Sequence, residues 1–258
     1  MIQYDAQAAQ VIEASYNTPD IQRQRLHTLD ALALQAGEQV LDCGCGTGLL
    51  TAAMAQQVGA AGQVWGIDNS ADMLAVAQQR CADLPNVTLQ CASATELPLP
   101  NASVAAASCI QTLLYVPEVE KALAELTRVL NSGGKLVVIE TDWRGLVLNT
   151  ADLALTERII AAWDQVVPNP HLAPQLPSLF AAHGVKVMQT QAIPIVNTTY
   201  QPSHFSYNSL AWLAQQARAQ GAISADEEKH WLEDLQTKAQ QGAFFFSINR
   251  FLCSGVKS

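Results

Sequence analysis

Short apolar runs and longer periodic segments alternate along the chain between residues 38 and 140. The apolar runs predict buried strands. The segments between them carry apolar residues every three or four positions, as a helix with one buried face does. Strands that alternate with helices form a parallel sheet with right-handed connections. The predicted strands cover residues 39–43, 63–68, 86–91, 104–110 and 135–140, and the clearest helical stripe covers 118–130.

The pattern after residue 142 is less regular but still alternates between helical and strand periodicity. Helical patterns cover 153–167 and 176–183, and an alternating segment at 185–196 predicts a strand. A helical pair at 207–220 and 226–241 comes next, and the last predicted strand covers 243–253. The chain has no internal repeat and no low-complexity tract.

A glycine-rich turn follows the first predicted strand. Gly44, Gly46 and Gly48 stand at alternate positions, which lets the backbone turn sharply and approach a ligand closely. The spacing G-x-G-x-G differs from the G-x-G-x-x-G of dinucleotide sites, and it suits an amino-acid moiety better than a pyrophosphate. Asp68, at the end of the second strand, can accept hydrogen bonds from two ribose hydroxyls. Taken alone, the turn also fits an NAD site or a purely structural role.

Further motifs accompany the glycine turn: Ser70-x-x-Met73-Leu74, Leu97-Pro98-Leu99 and Arg128-Val129-Leu130-x-x-Gly-Gly. With segment 40–48 and Asp68, they resemble class I S-adenosylmethionine-dependent methyltransferases, of the small-molecule type related to ubiquinone and menaquinone biosynthesis methyltransferases. The resemblance implies an α/β fold, a doubly wound seven-stranded Rossmann-like sheet with a reversed last strand and a helical lid insertion. We expect one domain, 1–258, with an N-terminal helical cover (1–36), a cofactor-binding core (37–142) and the lid insertion (203–242).

The same resemblance implies which residues bind S-adenosylmethionine. The glycine loop holds the methionine part, Asp68 holds the ribose, and the loop 92–94 meets the adenine edge. Ser93 stands where the family usually has a carboxylate. Two residues near the N-terminus close over the methionine carboxylate. The implied set is Tyr16, Arg25, Asp42, Gly44, Cys45, Gly46, Gly48, Asp68, Asn69, Met73, Ala92, Ser93, Ala94 and Gln111.

Three residues are candidates for binding the methyl acceptor. Tyr115 and Trp143 follow the fourth and fifth strands on the ligand side, although aromatic residues in such places also pack in cores. His171 lies in a proline-rich segment, where it is either a base or an ordinary polar loop residue. No catalytic residue stands out, because the cofactor brings its own leaving group. The pair Cys43 and Cys45 falls short of a metal site.

Composition narrows the range of partners. The chain has 14 Lys and Arg against 23 Asp and Glu, a formal net charge of −9, and no basic run. Nucleic-acid binding needs clustered basic residues, so we expect no nucleic-acid partner. The longest weakly polar stretch, 104–116, is too short to span a bilayer. Six scattered cysteines and an N-terminal segment without signal-peptide features predict a cytoplasmic protein.

The function predicted from the sequence is transfer of a methyl group from S-adenosylmethionine to a small, aromatic or partly apolar molecule by direct displacement. Two alternatives stay open: a catalytically silent S-adenosylmethionine-binding regulatory protein, and a methyltransferase that acts on protein or nucleic acid. The glycine loop and Asp68 indicate binding alone, so turnover of an acceptor separates these functions. The acceptor, the atom methylated and the oligomeric state are left open by the sequence.

Overall fold

One mixed sheet organises the protein, and the computed structural model describes residues 12–258. The seven strands predicted from the sequence are all present. An eighth strand of two residues was not predicted, because so short a strand has no periodicity. The strands are β1 (Gln39–Cys43), β2 (Gln63–Asp68), β3 (Val87–Cys91), β4 (Val104–Ile110), β5 (Leu130–Thr141), β6 (Val147–Leu148), β7 (Val185–Asn197) and β8 (Phe246–Lys257).

The strand order is β3-β2-β1-β4-β5-β8, and both β7 and the short β6 pair with β8. Strands β1 to β5 run parallel, whereas β8 runs antiparallel to β5 and to β7. β5 pairs with β8 only as far as Arg250, and β6 pairs with the earlier residues Phe246 and Ser247. The doubly wound sheet with a reversed last strand is therefore confirmed.

Helices connect the strands, and local sequence explains several of their starts. Ser70 and Asp152 accept hydrogen bonds from backbone N–H groups of the first turns that they precede, and Ser224 forms a capping box with Glu227. Residues 12–16 are helical and precede the first complete helix. The helices are α1 (Pro19–Leu32), α2 (Leu49–Val58), α3 (Ala71–Arg80), α4 (Val119–Val129), α5 (Leu153–Asp164), α6 (Leu176–Ala182), α7 (Phe205–Ala219) and α8 (Ala225–Gln240).

The sheet is packed on both faces, because successive side chains of a buried parallel strand point to opposite sides. Val40 packs with α1 and α2, whereas its neighbour Leu41 packs with α4 and α6. The predicted apolar stripe of α4 lies on that second face, where Ala122, Leu123, Leu126 and Val129 are buried and Val119 is partly buried. Because β1 to β5 run parallel, their carboxyl ends lie together at one edge of the sheet. Open α/β sheets bind ligands at this edge.

A third apolar cluster joins α5, α7 and α8 to the beginning of β8. Trp163 of α5, Leu213 of α7 and Trp231 of α8 are each at most 2% exposed in this cluster, and Phe246 and Ile248 supply the strand side. The cluster holds the helical pair against the sheet. In the described part of the chain, no helix is both long enough and apolar enough to cross a membrane.

Several predicted boundaries were wrong. α5 ends at Asp164 rather than residue 167, β5 begins at Leu130 rather than residue 135, and β8 covers Phe246–Lys257 rather than 243–253. The late start of β8 has a clear cause. Phe244 is buried like a strand residue, but it packs on the ring of Tyr200 at 5.1 Å between centroids and does not pair in the sheet. Apolar character alone does not separate these two environments.

Candidate active site

The glycine loop bends back over the carboxyl end of β2. The backbone N–H groups of Gly44 and Cys45 both donate to the Ile67 carbonyl oxygen, at 2.7 and 3.0 Å. Gly44 and Gly46 have φ of +74° and +53°, in the left-handed region that favours glycine. A Cβ on Gly46 would meet no heavy atom within 4 Å, so the loop leaves open space beside it. The chain thus forms a concave backbone surface at this edge.

Gly44 and Gly48 are needed for close packing. A Cβ on Gly44 would lie 2.0 Å from the Thr112 hydroxyl oxygen, so the loop contacts the segment after β4 directly. A Cβ on Gly48 would lie 3.0 Å from the Cβ of Ala77 on α3. Gly48 also caps the N-terminus of α2, with φ of +79°. Its contacts are thus with two helices.

Asp68 joins the glycine loop to the start of α3. Its Oδ2 accepts a hydrogen bond from the Gly46 N–H at 2.8 Å, and its Oδ1 accepts one from the Ser70 N–H at 2.9 Å. Burial raises the pKa of this carboxyl, while the backbone hydrogen bonds from Ser70 and Gly46 act in the opposite direction. A carboxylate has about four lone-pair sites, so acceptor capacity remains for a ligand.

Asp42 fixes the base of the loop. It is 2% exposed, and its two carboxyl oxygens accept from the hydroxyls of Thr51 at 2.7 Å and Ser108 at 2.9 Å. Burial raises the pKa of Asp42 to about 6, and these two hydrogen bonds oppose the shift. At neutral pH the group is mostly ionised, so it places a negative charge directly behind the glycine loop.

The segment after β4 is held by a second buried carboxyl. Gln111 has φ of +52°, and its side-chain oxygen accepts from the Thr141 hydroxyl at 2.8 Å. The next two N–H groups, of Thr112 and Leu113, donate to Glu140 Oε1 at 3.2 and 2.8 Å. Burial raises the pKa of Glu140 to about 8. β5 therefore sets the position of Gln111, which the resemblance implied as a cofactor-binding residue.

A cavity of about 1070 Å³ runs from the glycine loop to α5 and α7. Of the fourteen residues predicted to bind the cofactor, thirteen line this cavity and Gly48 does not. Of the three acceptor candidates, Tyr115 and Trp143 line it and His171 does not. The structure therefore brings together residues from the N-terminal segment, five strand ends and the helical pair around one space.

Comparison with known proteins identifies a domain. Residues 40–134, which contain the glycine loop and Asp68, match the methyltransferase domain family. The chain therefore contains a class I S-adenosylmethionine-dependent methyltransferase domain, and the resemblance inferred from the motifs is confirmed.

Two relatives match the chain over different lengths. It is 32% identical to an uncharacterised 37.1 kDa transposon protein of Streptomyces fradiae over 225 residues, 87% of this chain and 64% of that one. It is 38% identical to the demethylmenaquinone methyltransferase of Staphylococcus epidermidis over 117 residues, 45% of this chain and 48% of that one. The chain therefore spans about half to two thirds of the length of these curated relatives.

A solved structure with the same fold is the geranyl diphosphate C-methyltransferase of Streptomyces coelicolor. The TM-score is 0.59 at 18% identity, and the match covers 92% of this chain and 77% of the other. At that identity the likeness concerns the fold alone.

His171 does not line the cavity. Its Nδ1 lies 3.4 Å from Asp142 Oδ1, and its Nε2 lies 3.2 Å from Asp164 Oδ2. Asp142 also pairs with Arg144. The imidazole thus bridges the segment after β5 to the end of α5. Of the two roles left open by the sequence, a base or an ordinary polar loop residue, these contacts match the second.

The N-terminal part of the site is held by its own hydrogen bonds. Arg25 on α1 donates from Nη2 to the Tyr16 carbonyl oxygen at 2.9 Å, and burial lowers the pKa of this guanidinium. Both residues line the cavity. Ser93 is exposed, and its hydroxyl accepts from the Thr95 N–H at 3.1 Å. The Ser93 oxygen therefore already stabilises its own loop.

Among the cavity residues that sequence reasoning missed are Trp163, Phe205, Trp212 and Arg250. Trp163 packs edge-on against Trp212 at 4.5 Å and against Tyr115 at 6.3 Å between ring centroids. Trp163 and Phe205 resemble ordinary core residues in sequence, so nothing marked them. Arg250 did carry a signal, since it is the one charged residue in the predicted strand 243–253.

Proposed function

We propose that this chain transfers the methyl group of S-adenosylmethionine to a small, flat and partly apolar molecule. The observation that carries the proposal is the single cavity shared by the glycine loop and an aromatic wall. Ligand sites generally enclose roughly 300–1,000 Å³. At about 1070 Å³ this cavity lies at the top of that range, which leaves room for a cofactor and a small acceptor together.

The cofactor half fits S-adenosylmethionine. The open space beside Gly46 and the free acceptor capacity of Asp68 suit a ligand that brings an amino acid at one end and ribose hydroxyls at the other. Met73 and the loop 92–94 line the continuation of that space and would flank the adenine. When bound, S-adenosylmethionine supplies the methyl group and the leaving thioether.

The acceptor half is aromatic. Tyr115, Trp143, Trp163 and Trp212 all line it, and such side chains favour a flat, partly apolar ligand. The protein's contribution would be to align the acceptor atom with the methyl group and to exclude water. The demethylmenaquinone methyltransferase, by its name, acts on a small molecule, and the likeness to it supports a small-molecule acceptor for this chain.

Trp212 tests the acceptor half directly. It lies half-buried on the cavity wall, so Trp212→Ala should raise the KM for an acceptor by roughly tenfold, about 1.4 kcal/mol of lost contact. Affinity for S-adenosylhomocysteine should stay unchanged. The measurement is transfer of labelled methyl across a panel of small aromatic and quinol acceptors, with calorimetry for the cofactor product.

Trp65→Ala is the matched control, because Trp65 is half-buried on β2 outside the cavity. An equal loss of cofactor and acceptor binding in Trp212→Ala would contradict the assignment of this wall. The same panel separates methyl transfer from a silent cofactor-binding role. A protein that binds S-adenosylhomocysteine but methylates neither these acceptors nor protein and nucleic-acid substrates would be such a binder.

We further propose that the N-terminal segment and residues 203–242 act as covers over the cavity. Residues 1–11 of the expected cover 1–36 lie outside the described part of the chain. Ser15, Tyr16 and Arg25 line the cavity from one side, and Trp212 and Gln216 line it from the other. Elements that close over a ligand exclude water from the reaction.

We also place the chain in the cytoplasm, on the ground that its six cysteines are all unpaired.

Hydrogen exchange tests whether the proposed covers close over the cavity. With saturating S-adenosylhomocysteine, amide exchange should slow by about threefold or more in segment 16–25 and in α7, because binding lowers the population of open states. β7 is the internal reference, since none of its residues lines the cavity. A response confined to residues 44–48 would mean that these segments do not close over the site.

A further inference from the structure

Arg250 is a buried cation on the wall of the cavity. It lies on β8, where it pairs with Thr141 of β5 on one side and with Ile193 of β7 on the other. The residue is 2% exposed, yet it lines the cavity. Taking a guanidinium out of water costs several kcal/mol unless it is paired and hydrogen-bonded, as a typical magnitude. A residue in such a place therefore needs a partner.

The immediate neighbours of Arg250 contact its guanidinium but do not satisfy its hydrogen bonds. Its guanidinium carbon lies 4.8 Å from the Phe205 ring centroid and 5.4 Å from that of Tyr16. Aromatic faces attract a cation, but they provide no oxygen acceptor for its N–H groups. Within residues 12–258, Nη1 of Arg250 is buried without a hydrogen-bond partner, and no carboxylate oxygen lies within 4.0 Å of the guanidinium.

Two acidic groups lie in the surroundings of Arg250, but neither forms an ion pair with it. Asp20 pairs with Arg23 and accepts hydrogen bonds from the Asn197 amide and the Phe205 N–H. Glu140 Oε1 accepts from the Thr112 and Leu113 N–H groups; burial raises the pKa of Glu140, and its electrostatic interaction with Arg250 acts in the opposite direction. Among residues 12–258, Arg250 therefore has an electrostatic interaction with Glu140 but no direct oxygen acceptor for Nη1.

The position of Arg250 places it in the acceptor half. β8 is three strands away from β1 in the order β1-β4-β5-β8. At about 4.8 Å per strand, the backbone of Arg250 is roughly 14 Å from the strand that leads into the glycine loop. Phe205, which begins α7, contacts Arg250 directly. The cofactor half already contains a different guanidinium, that of Arg25.

We propose that Arg250 recognises an anionic oxygen group, a carboxylate or a phosphate, on the methyl acceptor. This inference rests on the small-molecule function proposed above. The planar guanidinium donates two parallel N–H groups to such an anion, while Tyr16 and Phe205 cover it with aromatic surface. Anchoring the charged end of the acceptor fixes the distance of its other end from the cofactor methyl. The acceptor is therefore an amphiphile, with an oxyanion near β8 and an apolar body between the aromatic walls.

Matched pairs of acid and neutral probes test this assignment. With S-adenosylhomocysteine bound, tryptophan fluorescence would follow titration of 4-hydroxybenzoate against its primary amide, and of phenyl phosphate against its neutral dimethyl ester. In the unsubstituted protein at least one anion should bind roughly tenfold or more tightly than its neutral partner. The pair that shows the preference distinguishes a carboxylate from a phosphate ligand. Arg250→Met should abolish the preference, and Arg250→Lys should keep part of it.

Arg158→Met is the matched control. Arg158 pairs with Glu227 on the surface of α5, and replacing it removes the same positive charge as Arg250→Met does. This control should leave the preference intact. A preference that survives in Arg250→Met overturns the proposal. Equal binding of anion and neutral probe to the unsubstituted protein also overturns it but leaves the small-molecule pocket standing. Failure of every probe to bind counts against both.

Thermal unfolding without ligand separates recognition from a structural role. If Arg250 serves the acceptor, Arg250→Met should have a Tm equal to or above that of the unsubstituted protein, because an unpaired buried charge is removed. If the guanidinium mainly holds Tyr16 and Phe205 together, the same variant should unfold at a lower temperature and its anion preference should persist. That combination would refute the inference.

Discussion

Gly44→Ala is expected to abolish detectable binding of S-adenosylhomocysteine and to lower the free energy of unfolding by about 2–4 kcal/mol, the range for a strained backbone combined with overpacking. The added Cβ would lie 2.0 Å from the hydroxyl oxygen of Thr112 and 2.5 Å from its methyl carbon. Thr112 has little freedom to move, because its N–H donates to the buried Glu140. The glycine loop must therefore shift away from the strand end. Calorimetry and denaturant unfolding measure the two effects.

Gly133→Ala isolates the backbone part of this effect. Gly133 has φ of +77°, close to the +74° of Gly44, but a Cβ there would meet nothing within 4 Å. This control should lose only about 1 kcal/mol and keep full cofactor affinity. Adding Thr112→Gly to Gly44→Ala removes all three clashing atoms and should restore part of both properties. If Gly44→Ala behaves like Gly133→Ala, the contact with Thr112 has no functional weight.

Asp68→Ala is expected to weaken S-adenosylhomocysteine binding by roughly 1–3 kcal/mol, which corresponds to about 5- to 150-fold in Kd. The carboxylate would accept hydrogen bonds from the ribose, and its present bonds to Gly46 and Ser70 also hold the loop in place. Both contributions act in the same direction. Calorimetric titration of the purified protein gives the change in Kd directly.

Asp72→Asn serves as the comparison, since Asp72 is exposed in the first turn of α3 and does not line the cavity. It should bind the cofactor product like the unsubstituted protein. An Asp68→Ala protein that remains folded and binds within about twofold of the original would remove Asp68 from the ribose site. Binding of NAD in preference to S-adenosylhomocysteine would contradict the interpretation of the whole loop.

The cofactor half of the site was largely predictable from sequence because its determinants are local. Three glycines at alternate positions can form one kind of turn after a strand, and the strand pattern places Asp68 at the same sheet edge. Gly48 shows where such reasoning goes too far. It belongs to the same motif, but the close packing of α2 against α3 explains it without a ligand.

The acceptor half was much less predictable. Tyr115 and Trp143, which follow strand ends, line the cavity as expected, whereas the candidate His171 does not line it and Trp212 was missed. The difference is one of distance along the chain. A residue next to a strand end inherits its position from the sheet, but a loop or helix residue faces whichever neighbour the tertiary packing brings to it.

The sequence by itself determined the α/β alternation, the direction of the last strand through its family resemblance, and the cofactor loop. These follow from periodicity and glycine stereochemistry, which act within about ten residues. Only the tertiary structure decided that Arg250 of β8, Phe205 of α7 and Tyr16 meet in one cavity. They are brought together by the burial of α5, α7 and α8 on the sheet. That packing minimises exposed apolar area among segments far apart in the chain, so no local pattern encodes which polar side chain it encloses.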